Sequence, residues 1–218
     1  MKNLLRYTLT GILATTPLST VWIGTGSALV EEKFDNPKEF IQSLGAKAIQ
    51  SLTDRGVPLS QRKVHFAELL DVAFDVPSIA SFVLGRYWRL ATPEERKEYV
   101  TLFRSMLIEA YASKFEGYND IKIVTTGVRG DDSSGYVVST SVHVPDMSEL
   151  KLDWKVFPSD GKQSFRILDI VIDNVSMSIT QRSEFASIIQ NNNGSIRAFL
   201  DVLSQKVKDL ETGAAVAK

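Results

Sequence analysis

The sequence predicts an α+β domain in which a four-stranded antiparallel sheet is covered on one face by N- and C-terminal helices. Residues 37–116 show helical patterns, with apolar side chains at three- and four-residue intervals. Residues 121–175 instead alternate apolar and polar side chains in four segments that short turns separate. Helical spacing returns from residue 181. A sheet with one apolar face requires a cover of helices, and this arrangement can enclose a cavity as readily as a solid core.

Three helices are expected in the first part of the chain. The first begins at Pro37 and ends before Gly56, and the second covers about residues 60–73. The third is the short apolar segment 77–84, which continues into further large apolar residues without a polar face. We therefore expect this region to be buried on most sides, with Gly85 permitting a turn or a close contact.

The fourth helix has the clearest start signal. Thr92 supplies a cap, Pro93 suits the first helical position, and Glu95 completes a capping box. A similar cap pattern occurs at residues 36–39. We expect this amphipathic helix to run to about Glu116.

The four expected strands have one apolar and one polar face. In the third strand Leu152 and Trp154 alternate with Lys151 and Asp153. The fourth alternates Leu168, Ile170 and Ile172 with Asp169 on the polar, solvated side. The expected strands cover residues 121–128, 136–144, 150–157 and 165–175, and two helices follow, at about 181–190 and from 196 onward.

The first 28 residues have the features of a secretory signal peptide. Lys2 and Arg6 precede an apolar run, and Gly26 and Ala28 place small side chains at the two positions that determine cleavage. Polar residues and a proline interrupt the run before it reaches the ~20 residues of a membrane-spanning helix. We expect cleavage after Ala28.

The rest of the chain is expected to form one domain. That domain covers residues 29–210, and a flexible tail follows at 211–218. The formal net charge of −1 argues against a nucleic-acid-binding protein, which normally presents a basic surface. Because the chain has no cysteine, a disulfide framework and thiolate chemistry are excluded.

An enzyme is the main alternative class. His143, Asp153, Asp169 and Tyr136 are the side chains available for acid–base chemistry. Alternation places both aspartates on the polar face, away from any apolar cavity, and no nucleophile elbow or phosphate-binding loop occurs. We expect no enzymatic activity, no metal site and no cofactor.

Several motifs in a fixed order resemble the MlaC family, also called the toluene-tolerance Ttg2 or auxiliary transport component family. The resemblance covers about residues 37–208 and depends on the whole set of motifs. These are Phe82-Val83-Leu84-Gly85-Arg86-Tyr87-Trp88, Ala91-Thr92-Pro93-Glu94-Glu95-Arg96, the spacing of Tyr99, Phe103 and Tyr111, Leu150-Lys151-Leu152-Asp153-Trp154, and Asp169-Ile170-Val171-Ile172-Asp173-Asn174-Val175-Ser176-Met177 followed by a helix with Gln181 and Phe185.

The resemblance implies a soluble periplasmic carrier that holds phospholipid acyl chains in an apolar cavity. Such a carrier is expected to be a monomer and to maintain outer-membrane lipid asymmetry. Its implied partners are an inner-membrane ABC transporter with an MCE-domain subunit and an outer-membrane lipoprotein–porin complex. A hopanoid-associated lipid-binding protein of the same family, and an adaptor that binds partners without carrying lipid, remain as alternatives.

A carrier of this kind needs an apolar lining for the chains and a polar mouth for the headgroup. Tyr87, Trp88 and Tyr111 are candidates for polar tips at the mouth. Arg86 and Arg89 either attract the headgroup or are ordinary solvated side chains. The candidate lining residues are Val83, Tyr87, Phe103, Leu107, Tyr111, Val138, Val142, Leu152, Trp154, Leu168, Ile170, Ile172, Val175 and Met177.

Overall fold

The computed structural model describes residues 33–117, 120–145, 148–159 and 164–213. Within these ranges the chain forms six α-helices and a five-stranded antiparallel sheet, so the α+β class is confirmed. The expected signal peptide at 1–28 and the end of the expected tail, 214–218, lie outside the described residues. Among the helices in these ranges, none has the length and hydrophobicity needed to cross a membrane.

The elements follow the expected order. The first four helices are α1 (Pro37–Leu52), α2 (Leu59–Ala73), α3 (Val76–Leu84) and α4 (Pro93–Tyr111). Short 3₁₀ helices at Gly85–Arg89 and Ala112–Phe115 extend α3 and α4. The sheet then contains β1 (Lys122–Asp131), β2 (Gly135–His143), β3 (Leu150–Pro158), β4 (Phe165–Ile172) and β5 (Val175–Ser176), and it is followed by α5 (Met177–Asn191) and α6 (Ile196–Glu211).

Side-chain caps fix the starts of α1 and α4 where the sequence predicted them. The Glu39 amide donates to Asn36 Oδ1 at 3.0 Å. At α4 the Glu95 amide donates to Thr92 Oγ1 at 3.2 Å, and the Thr92 amide donates to Glu95 Oε2 at 2.9 Å. These bonds satisfy backbone donors that have no partner within the helix, and they confirm the predicted capping box.

The sheet has the simple order β1-β2-β3-β4-β5, in which each strand pairs with the next. Across the middle of the sheet, Val138 pairs with Trp154, and Trp154 pairs with Ile170. Leu152 pairs with Ile172 two residues further along. The apolar residues of β2, β3 and β4 therefore share one face, as the alternation predicted.

The fourth predicted strand is wrong at its end, because the chain reverses before residue 175. Asp173 and Asn174 have φ values of 46° and 68°, which gives a tight hairpin turn. The chain then forms β5, the fifth strand, in which Val175 pairs back with Ile172. The prediction of four strands is therefore corrected to five.

A β-bulge changes which residues of β4 enter the core. Lys155 pairs with Asp169 but Val156 pairs with Ile167, so Leu168 is the inserted residue. Ile167 is fully buried, whereas Leu168 is half-buried. The strict alternation assumed from the sequence fails at this point because a bulge places two residues opposite one.

The buried apolar residues form two clusters. The helical cluster joins α3, α4, α5 and α6, with Tyr99, Phe103, Phe185 and Phe199 at its centre. The sheet cluster joins the apolar sheet face to α1 and to the end of α2. Phe74, at the end of α2, packs against both.

The segment between α3 and α4 is only partly buried. Val83, Leu84 and Tyr87 are in the helical cluster, as expected. Phe82 and Leu90 are exposed, at 44% and 69%. The expectation of burial on most sides is therefore correct for the inner residues of this segment and wrong for these two.

Candidate functional site

The apolar sheet face is covered unevenly. At one end Val138, Val156 and Ile167 are fully buried, and they pack in one cluster with Phe40 and Ile41 of α1. Toward the other end the apolar side chains are buried or half-buried. We call this region the open half of the sheet face, and it comprises Thr140, Val142, Leu152, Trp154, Ile170 and Ile172.

The position of α1 explains the uneven cover. The Phe40 ring lies 5.9 Å from the Phe165 ring at the start of β4. Five residues later, Gly45 lies so close to β1 that a Cβ there would be 3.0 Å from Ile123 Cδ1. Helix α1 therefore crosses from the β4 side to the β1 side. The corner at Leu152 and Ile172 is left half-buried.

Polar groups on the open half bond to one another. The Trp154 indole Nε1 donates to Thr140 Oγ1 at 2.9 Å, and the Thr140 hydroxyl is 3.4 Å from the Leu152 carbonyl oxygen. Thr140 is 2% exposed. With these groups paired, the wall presents hydrocarbon and aromatic surface, which suits an apolar ligand. Thr140 was not among the predicted lining residues, although it has the same alternation as Val138 and Val142.

The burial of Asp169 differs from what the sequence predicts for the polar face of the sheet. Alternation predicts a solvated side chain, but Asp169 is 6% exposed because the start of α5 covers it. Its carboxylate accepts from Ser176 Oγ at 2.7 Å, from the Ser178 amide at 3.0 Å and from Lys155 Nζ at 2.9 Å. Burial tends to raise the pKa of Asp169, but these hydrogen bonds outweigh it and hold the pKa below its usual value.

The predicted lining residues are divided between the two clusters. Val138 lies in the sheet cluster, with Trp154 and Ile170 packed against it, and Val142 is also buried. Val83, Tyr87 and Phe103 are buried in the helical cluster, and Leu107 packs against it. Leu152, Leu168, Ile172 and Met177 are half-buried, whereas Tyr111 and Val175 are exposed at 45% and 52%.

Side chains considered for acid–base chemistry form hydrogen bonds with neighbouring side chains. Asp153 Oδ1 accepts from the Ser139 hydroxyl at 2.5 Å, and Asp153 Oδ2 accepts from Arg129 at 3.1 Å. The Tyr136 hydroxyl donates to Asp132 at 2.8 Å, on an exposed hairpin. Among the described residues, no group of three or more His, Cys, Asp or Glu side chains has a geometry that would hold a metal ion.

Comparison with known proteins gives a match to a sequence family and a match to a solved structure. The family model described as MlaC protein matches residues 42–205. A phospholipid-binding protein from Ralstonia solanacearum, solved in complex with a phospholipid, has the same fold, with a TM-score of 0.71 at 21% sequence identity. The alignment covers 80% of this chain and 98% of that one. Because the family model spans most of the sequence, the chain belongs to the MlaC family.

Proposed function

We propose that the protein is a lipid carrier that holds phospholipid acyl chains against the open half of the sheet face. The observation that carries this proposal is the half-buried apolar wall of Leu152, Trp154, Ile170 and Ile172, whose polar groups are paired internally. Membership of the MlaC family and the phospholipid bound to the Ralstonia solanacearum protein support it.

The free energy of chain transfer explains why such a wall is useful. Burying one methylene is worth about 0.8 kcal/mol, so a chain of ~16 carbons is held strongly by an apolar surface and is nearly insoluble in water. The charged headgroup has the opposite preference and remains in solvent. A carrier therefore needs an apolar site that opens at one side, and the partly exposed corner of the sheet face meets this requirement.

The setting of this activity is part of the proposal. We place the protein in the periplasm, exported by residues 1–28 and acting as a monomer of one domain without catalytic activity. It exchanges lipid with an inner-membrane ABC transporter that has an MCE-domain subunit and with an outer-membrane lipoprotein–porin complex. This exchange maintains the asymmetry of the outer membrane.

Mass spectrometry of the protein purified from a periplasmic extract tests the proposal. We expect a glycerophospholipid to be bound in stoichiometric amount, seen in the native spectrum and identified after solvent extraction. A hopanoid would assign the protein to the hopanoid-associated branch of the family. An empty protein that also takes up no lipid from vesicles would contradict the carrier proposal and favour an adaptor.

A bulky side chain in the open half tests the site itself. Leu152→Trp fills space on the apolar face, so we expect bound phospholipid to fall at least about fivefold while stability changes by less than about 2 kcal/mol. Lys151→Trp adds the same ring to the opposite face of β3 and serves as the matched control. Full lipid content in Leu152→Trp would show that the chains lie elsewhere.

A further inference from the structure

A basic and apolar patch lies on the surface beside the α3–α5 contact. It comprises Phe82, Arg86, Arg89, Ile179 and Arg182, together with Leu90, which directly follows Arg89 in the chain, and all six side chains are exposed. Phe82, Leu90 and Ile179 are exposed at 44%, 69% and 52%. Large apolar side chains clustered with arginines on one surface are typical of proteins that bind at a membrane interface.

Direct contacts join the two segments that form the patch. The Arg182 guanidinium of α5 lies over the Phe82 ring of α3, with 5.1 Å from Cζ to the ring centroid. It also lies so close to Gly85 that a Cβ there would be 2.9 Å from Arg182 Cζ. Arg86 follows Gly85 directly, so Phe82, Arg182 and Arg86 form one continuous surface.

The 3₁₀ geometry extends this surface along the chain. In a 3₁₀ helix residues three apart lie on the same side, which aligns Arg86 with Arg89. Arg86 also donates to the Tyr87 hydroxyl at 2.8 Å, and its guanidinium lies 4.8 Å from the Tyr87 ring centroid. Tyr87 is buried, so this contact anchors the arginine while its outer side stays in solvent.

The charge of the patch has one sign. Residues 76–93 contain no aspartate or glutamate, and neither do residues 177–183. Among the described residues, no carboxylate forms an ion pair with Arg86, Arg89 or Arg182. The whole chain has a formal net charge of −1, so this is a local concentration of positive charge on a chain that is close to neutral.

We propose that this patch docks the protein onto an anionic phospholipid surface. The arginines would contact phosphate groups, and Phe82 and Leu90 would enter the interfacial region between headgroups and chains. This inference goes beyond the proposed function, because it concerns a surface that contacts the bilayer rather than the site that holds the cargo. A lipid bilayer is favoured over a protein partner because the exposed apolar side chains suit the acyl-chain region, and the arginines, which have no carboxylate partner among the described residues, suit the phosphate groups above it.

Vesicle flotation measures this docking directly. The protein from a periplasmic extract is mixed with phosphatidylcholine vesicles that contain phosphatidylglycerol at about one part in four, or with phosphatidylcholine alone. We expect it to float with the anionic vesicles only, and binding to fall steeply as salt is raised to about 0.5 M. Failure to float with bare anionic vesicles would overturn the inference. Capture only by vesicles that carry a membrane protein would also overturn it and assign the patch to a protein partner.

Substitutions in the patch provide the second part of the test. Arg86→Glu with Arg89→Glu is expected to reduce binding to anionic vesicles at least about tenfold. Phe82→Ser with Leu90→Ser is expected to reduce it several-fold. Lys38→Glu with Lys206→Glu makes the same change of charge at exposed positions on α1 and α6 and should leave binding nearly unchanged. Equal binding by the patch variants and this control would overturn the inference.

Measurement of cargo separates this inference from the proposed function. Each variant is also analysed by mass spectrometry for bound lipid, which reports on folding and on the cargo site. Variants that keep their lipid but no longer float would support docking by the patch. A wild-type protein that carries lipid but does not float would overturn docking and leave the carrier proposal unaffected.

Discussion

At the scale of single residues, Asp169 shows how a buried carboxylate can position a helix. Its oxygens accept hydrogen bonds from the Ser176 hydroxyl and the Ser178 amide, which lie at the beginning of α5. Lys155 of the neighbouring strand supplies the opposite charge at 2.9 Å. Because a buried charge without partners is very unfavourable, these contacts hold β4, β5 and α5 in one arrangement.

Replacing this carboxylate should lower stability. Asp169→Asn removes the charge and leaves Lys155 without its ion pair, so we expect unfolding to require about 1–3 kcal/mol less free energy. Urea denaturation followed by circular dichroism measures the change. Asp153→Asn is the matched control on the same polar face, and we expect it to cost less than about 1 kcal/mol because that side chain is more exposed. Equal losses in the two variants would contradict this role for Asp169.

The contribution of Asp169 should also depend on pH in one direction. Its folded-state pKa is depressed, so the stabilisation is complete above its unfolded value of about 3.9 and is lost as pH falls through the folded value. We expect the difference in unfolding free energy between wild type and Asp169→Asn to be constant near neutral pH. It should shrink as the pH is lowered below about 4. A difference that grew in acid would refute the assignment.

At the scale of elements, the junction between α3 and the following 3₁₀ helix depends on Gly85. This residue has φ 59° and ψ −127°, a conformation that side chains with a Cβ rarely adopt. The same position receives the Arg182 guanidinium from α5. The sequence predicted that Gly85 permits a turn or a close contact, and the structure confirms both.

Adding a methyl group at this junction should therefore lower the stability of the fold. We expect Gly85→Ala to lower the free energy of unfolding by about 1–3 kcal/mol through backbone strain and displacement of Arg182. Gly127→Ala is the control, since Gly127 lies in β1 with no atom within 4 Å of an added Cβ. Its effect should stay within about 0.5 kcal/mol. Thermal and urea unfolding of both variants would measure the difference, and similar effects would contradict the assigned strain.

At the scale of the whole domain, the buried apolar residues are divided into two clusters. The helical cluster contains buried apolar residues of α3, α4, α5 and α6, while the sheet face packs against α1 and the end of α2. From the sequence, the N- and C-terminal helices were expected to cover the sheet. The sheet cluster and the close approach of Gly45 to Ile123 place α1 beside the open half, and we expect lipid to enter by separation of α1 from the sheet.

A reversible crosslink tests this route. A Cβ at Gly45 would lie 4.0 Å from Ile123 Cβ, within the range of about 3.5–4.5 Å found in disulfides. The chain has no native cysteine, so in Gly45→Cys with Ile123→Cys this is the one disulfide that can form within a molecule. We expect lipid uptake from vesicles to be at least about tenfold slower in the oxidised protein. The reduced form of the same variant is the control, and equal uptake rates would exclude this route.

The sequence by itself determined the class of fold, the order of the helices and of the first four strands, and the family. Cap residues such as Thr92 and Glu95 act over one helical turn, and alternation along β3 acts over neighbouring residues, so both can be recognised without a structure. Alternation also predicted which side chains form the apolar sheet face, among them Val138, Leu152 and Trp154.

Features that depend on contacts between segments distant in the chain were decided only by the tertiary structure. The bulge at Leu168 and the burial of Asp169 result from pairing with β3 and from the return of the chain into α5. The division of the predicted lining residues between two clusters depends on where α1 crosses the sheet. An apolar periodicity specifies that a face is buried but not which element covers it, because every apolar surface offers similar, non-directional attraction.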